Sequence, residues 1–372
     1  MLPASLSLVW PGLAGRLLTG LLIGSGAGMA GPGSVSRAVD PPRTTIRVVT
    51  DEGTVLGRPL FSGERALILL RRDGRLLEYD VRQIRSAEEV SSRFVPHSSR
   101  KTQEHLRKIF GSSYEVTRTA HYVIVHPRGL RHQWADPFET MYHRFWHYFS
   151  VRGYTIQPPE FPLVVVVFGS QAEFNRVARR DGMSNPGGFA GYYSPTSNWV
   201  VTRHDTNAVT GNRTLIHEAL HQFAFNTGIQ QRWAATPLWC AEGLATMFEA
   251  PGVHDGRRHS RARDRLNPAL AEVLRQRIAD PAGADMLESL VESDHLFERD
   301  PEFGYALSWG LVWYLAETRP AQLNAYLQKI ARRPRGEPYA AADRKAEFRQ
   351  AFGIDFVMLH SHFVRYLAEA PR

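Results

Sequence analysis

Thr214-Leu-Ile-His217-Glu218-Ala-Leu-His221-Gln-Phe-Ala-Phe225 decides how this chain is read. Leu215, Ile216, Leu220, Phe223 and Phe225 recur at helical spacing, which predicts a buried helix. Asn226-Thr227-Gly228 supplies its stop, with Gly228 just past the last turn. On that helix His217 and His221 stand four residues apart and share one face, so both imidazoles can reach one ion. Glu218 follows His217 directly, about 100° further round the helix. Two neutral nitrogen donors with an adjacent carboxylate base are the side chains that zinc-assisted hydrolysis uses.

Such a site needs a third protein ligand and an open position for water. Thr236-Pro237-Leu-Trp-Cys-Ala-Glu242-Gly-Leu-Ala follows. Thr236 is a good N-cap and Pro237 suits a first helical turn, so a second helix is predicted to start there, with Glu242 in its second turn. The 15-residue step from Thr227 to Glu242 lets that helix fold back antiparallel to the first. His217, His221 and Glu242 are therefore the expected ligands of one Zn2+ per chain, and Glu218 is the expected general base.

These residues resemble the gluzincin metallopeptidases, whose motif is H-E-x-x-H with a later glutamate in a W-x-x-E-G-[LF]-A context. HEALHQFAFNTGI and PLWCAEGLATMFE look closer still to one peptidase MA-like group, domain-of-unknown-function family 1570. The strong likeness covers residues 214–248 and a weaker one residues 114–367. It implies a zincin-like fold and a peptidase-type site acting on a peptide or protein substrate. Gluzincins commonly steady the oxyanion with a tyrosine or histidine from the helical half, and the resemblance gives that role to Tyr305. Thermolysin-like enzymes place an aspartate where this chain has Thr246, so Thr246 or Glu249 is expected to orient a ligand histidine. No G-x-M-E-N precedes the zinc motif, so the aminopeptidase pattern for holding a free N-terminus is missing. In zincin folds an edge strand beside the active-site helix pairs with extended substrate, and Gly191 to Thr202 is placed to do so.

The rest of the chain is read around that centre. Across 372 residues, 43% hydrophobic and 22% charged content excludes a disordered or fibrous protein. A single cysteine, Cys240, excludes an internal disulfide and cysteine-cluster metal sites. It lies two residues before Glu242 and reads as a small buried hydrophobe. The net charge of +8 comes almost wholly from arginine and permits binding to anionic surfaces. No nucleic-acid motif accompanies it, so no nucleic acid is expected as a partner. Leu17 to Ile23 is apolar and small residues follow, which predicts an export signal over 1–30, cleaved after Ala30. A linker at 31–43 completes that region. The mature chain is expected to be secreted or periplasmic and to lack a transmembrane helix.

The expected fold is α+β. Short β runs over 44–90, with Asp73-Gly74 as a hairpin turn, predict a small β-barrel resembling an SH3-like domain. Its expected role is packing or docking, including docking to the cell envelope. A connector at 91–112 leads to the zincin-like domain at 113–253 and a helical subdomain at 254–372. Within these, Tyr114 to Val125 reads as one strand, Pro137 to Phe149 as a helix, and Phe161 to Phe168 as a buried strand.

Other candidates read as structural. Glu139, His143 and His147 form an i, i+4, i+8 stripe with no third-ligand helix beside it, so they read as a solvent-facing face. His360 and His362 point to different sides of a helix. The five arginines between Gly256 and Arg265 read as a solvated loop. The rival to a hydrolase is an exported binding protein whose zinc site is structural or vestigial, and the intact Glu218 argues against it.

Overall fold

The computed structural model describes residues 44–371, apart from 205–207, 233 and 279–282. The export signal and linker read over 1–43 lie outside the described residues.

The N-terminal strands are β1 (Thr45–Thr50), β2 (Gly53–Ser62), β3 (Ala66–Arg71), β4 (Leu76–Asp80) and β5 (Ile84–Ser91). They form one antiparallel sheet in the order β4-β3-β2-β1-β5. The expected barrel is corrected here: β4 and β5 are opposite edges and do not close on each other. The physical reason lies in β3. Leu67 and Leu69 pack with Val48 on one face, while Ile68 and Leu70 pack with Leu76, Phe94 and Phe161 on the other. The second face is thus covered by the rest of the chain, so the sheet need not curl to bury it. Strand β5 reads IRSAEEVS and is mostly exposed, so it carries no apolar alternation to announce it.

The second sheet holds β6 (Tyr114–Arg118), β7 (Tyr122–Pro127), β8 (Leu163–Phe168), β9 (Gly191–Ser194) and β10 (Trp199–Arg203). Its order is β6-β7-β8-β10-β9. β7, β8 and β10 run parallel, and β6 and β9 are antiparallel edges. The stretch expected as one strand over 114–125 is therefore a hairpin. β8 is buried along its whole length because helices cover both faces. Leu163, Val165 and Val167 face α2 (Arg131–Val151) and α4 (Ala208–Thr227). Val164, Val166 and Phe168 face α1 (Ser99–Phe110) and α3 (Gln171–Arg180). α2 starts before the expected Pro137 and carries that proline inside it.

The C-terminal half is helical: α5 (Leu238–Phe248), α6 (Pro251–His254), α7 (Pro268–Arg277), α8 (Gly283–Glu292), α9 (His295–Arg299), α10 (Pro301–Thr318), α11 (Pro320–Ala331), α12 (Ala341–Phe352) and α13 (Phe356–Glu369). α10 is buried from Phe303 to Leu315 because neighbours surround it. Its contact with α5 is backbone-close: a Cβ on Gly243 would lie 2.4 Å from the Ser308 carbonyl oxygen. Gly243→Ala should therefore push the two helices apart and cost about 1–3 kcal/mol, read by denaturant unfolding. A parent-like midpoint would show that the crossing is looser than this. No helix among the described residues is long and apolar enough to cross a membrane.

The two sheets meet at their turns. Leu76 N donates to Thr196 O at 2.8 Å, and Arg75 lies over the Trp199 ring at 4.5 Å. Arg232 Nη1 donates to Gly74 O at 2.8 Å and Pro195 O at 3.1 Å. Gly74 has φ +87° and packs on Phe161, so both its backbone angle and its lack of a side chain are used. The N-terminal sheet thus braces the turn of the β9–β10 hairpin.

Candidate metal centre

α4 carries the H-E-x-x-H stretch and ends as its sequence predicts, with Gly228 at φ +88°. α5 packs beside it and brings Glu242 to the two histidines. Its N-cap is Pro237, one residue later than expected, and the Thr236 hydroxyl caps nothing.

His217, His221 and Glu242 are 5%, 2% and 1% exposed. The two Nε2 atoms stand 3.1 Å apart. Glu242 Oε2 is 3.3 Å from His217 Nε2 and 3.8 Å from His221 Nε2. Neither oxygen of Glu242 has a well-formed hydrogen bond. Buried polar atoms are normally paired, and an unpaired carboxylate is especially costly. Here a carboxylate and two ring nitrogens converge on one point where a cation would satisfy all three. The donor set of two imidazoles and one carboxylate is that of a catalytic zinc site, so the residues present fit the ion.

The surroundings set the tautomer. His217 Nδ1 is 2.9 Å from Glu249 Oε1, at the C-terminal end of α5. With that nitrogen donating to the carboxylate, Nε2 keeps its lone pair for the shared point. Of the two residues left open by the sequence, Glu249 makes this contact, while the buried Thr246 hydroxyl has no partner. Burial alone would lower the His217 pKa, but Glu242 and Glu249 outweigh it and raise it well above the usual value. Burial and then His217 push His221 well below it.

Glu218 is 4% exposed and turns toward β9, where its Oε2 accepts from Tyr193 N at 2.7 Å. Burial pushes this carboxyl up to about 7, against the pull of His217. The stretch 191–202 is a hairpin, and only Gly191–Ser194 forms the sheet edge. Its place on α4 is fixed by amides that sequence reasoning missed. Asn198 and Asn226 exchange hydrogen bonds of 2.9 and 2.7 Å. Gln222 Nε2 donates to Val164 O at 2.9 Å and Asn198 O at 2.8 Å. The available signal was two amides, Gln222 and Asn226, four residues apart on the last turns of α4.

Tyr305, on the first turns of α10, is buried beside Glu242 and favours its charged form. The position seen is against the Glu242 carboxylate, where Gly243 lets α10 approach. Cys240 is buried in the core, and burial holds its thiol well above the usual pKa. His360 Nε2 lies 2.7 Å from Ile278 O, a structural contact. Glu139 and His143 do come together, with His121 as their third member, and His147 stays exposed outside that group.

Residues 212–337 match the family described as "Protein of unknown function (DUF1570)". That stretch holds His217, Glu218, His221, Glu242, Glu249 and Tyr305. No curated protein matches the chain.

Proposed function

We propose that this protein is a zinc-dependent hydrolase of peptide bonds of the gluzincin type. The observation that carries the reading is the convergence of three buried donors, His217, His221 and Glu242, beside the buried carboxylate of Glu218. Zinc in that position supplies a Lewis acid that polarises a carbonyl and brings water toward ionisation near neutral pH.

The chain's own residues do the rest. Glu218 takes the proton of the attacking water and passes it to the leaving amine. Its hydrogen bond from Tyr193 N holds it between the ligand helix and the sheet edge. Glu249 fixes the His217 ring, and Tyr305 steadies the Glu242 carboxylate. An extended substrate backbone adding to β9 would lie along α4, which favours main-chain recognition over sequence selectivity. The apolar stretch Leu17 to Ile23 supports a secreted or periplasmic place of action.

The test is hydrolysis of casein and of a mixed peptide pool by purified protein. Turnover should vanish with 1,10-phenanthroline and return with added Zn2+. Turnover that ignores the chelator would overturn the mechanism. Tight metal binding without turnover on any peptide would favour the binding-protein reading.

A further inference from the structure

His121 stands between β6 and β7, and Glu139 and His143 are one turn apart on α2. Each brings one donor atom to within 4.8 Å of the others. Glu139 is the hub. Its Oε1 is 2.5 Å from His121 Nδ1 and 3.4 Å from His143 Nε2, and its Oε2 accepts from His121 N at 3.3 Å. Thr119 and His121 both hydrogen-bond this carboxylate and fix its place. The His121 ring is stacked on Tyr142 at 3.7 Å and 17°, so its direction is set without any ion.

We propose that His121, Glu139 and His143 form a second divalent-cation site, suited to a borderline first-row ion such as Zn2+. Two imidazoles and a carboxylate favour that class over magnesium or calcium. The histidine and the carboxylate that need positioning are already held, and only His143, 66% exposed, is free to turn. Tetrahedral zinc separates its ligand atoms by about 3.4 Å, so the His121–Glu139 pair must open from 2.5 Å as the ion enters, while His143 Nε2 already stands 3.4 Å from Glu139 Oε1 and turns to complete the set. Solvent supplies the remaining positions.

Binding replaces the proton shared by His121 Nδ1 and Glu139 Oε1, and that proton leaves to solvent. A plain His–Glu hydrogen bond accounts for two of these residues. His143 lies one helical turn beyond Glu139, which brings its Nε2 to 3.4 Å from the same oxygen and so a third donor to the pair. The bound ion would pin the β6–β7 turn to α2. That helix reaches α4 through Tyr142 on Phe223, ring centroids 5.4 Å apart, two residues beyond His221.

The experiment titrates metal-stripped full-length chain with Co2+ and counts bound equivalents after dialysis. Parent, His143→Ala, Glu139→Gln and His221→Ala are compared, with circular dichroism on each. The parent should hold one equivalent more than His143→Ala or Glu139→Gln. His221→Ala should keep the equivalent that those variants lose, and Zn2+ should still raise its melting temperature. His143 is exposed, so its replacement leaves folding intact. Equal metal content in the parent and a natively folded His143→Ala would overturn the proposal, and would also assign any extra ion to other surface groups. If the H-E-x-x-H site binds nothing, the parent takes a single equivalent that His143→Ala still removes, so the two readings fail separately.

Discussion

Glu218→Gln is expected to fold, to hold zinc as the parent does, and to lose about 100- to 10,000-fold in peptide turnover, the range for a positioned base. Glutamine keeps the size of the side chain, and its carbonyl oxygen can still accept from Tyr193 N, the 2.7 Å contact that anchors Glu218. What it cannot do is take up a proton. In the proposed site Glu218 is not the third ligand, because Glu242 is the carboxylate that stands 3.3 and 3.8 Å from the two imidazoles. The measurement is zinc content, melting temperature and hydrolysis on one preparation. Parent-like hydrolysis would remove Glu218 from the mechanism. Loss of zinc alongside activity would make it a ligand or a structural group.

The second large effect belongs to the ligand helix. His221→Ala should strip most of the zinc from the H-E-x-x-H site and abolish turnover with it. Its melting temperature should no longer respond to zinc held at that site. At a free-ion concentration a thousand times the dissociation constant, the linkage lost is about 4 kcal/mol. Glu249→Gln should fall between this variant and the parent. Its amide oxygen can still accept from His217 Nδ1, but the charge is gone, and affinity should drop about 10- to 100-fold. Measuring zinc affinity across the three proteins separates the roles. A His221→Ala protein with unchanged zinc at this site would refute the ligand set, and a Glu249→Gln protein with parent affinity would remove the orienting carboxylate.

The centre was legible because its information is local. His217, Glu218 and His221 share one helix, and the apolar residues between them fix its buried face. Glu242 was reachable because Pro237 marks the start of the next helix and leaves Glu242 in its second turn. Choosing Glu249 over Thr246 was not legible. That depends on the packing of α4 against α5, and both residues lie near the end of α5. The open sheet was missed for a related reason: the cover on β3 comes from Phe161, far along the chain. β5 lacked an apolar face, and α8 and α9 are too short to declare a period strongly. His121 joins Glu139 and His143 only because a hairpin replaces the single strand expected over 114–125.

The brace at Arg232 bears on the order in which the molecule assembles. Its bond to Gly74 closes 158 residues of chain, whereas His217 and His221 are in place once a single helix winds. Distant closures are slow and entropically expensive, while helices form early. A newly made chain would therefore display its histidine pair before the turn of the neighbouring hairpin is locked. On the proposed hydrolase function, that delay is a built-in interval during which the chain is not yet a danger to its own unfolded neighbours.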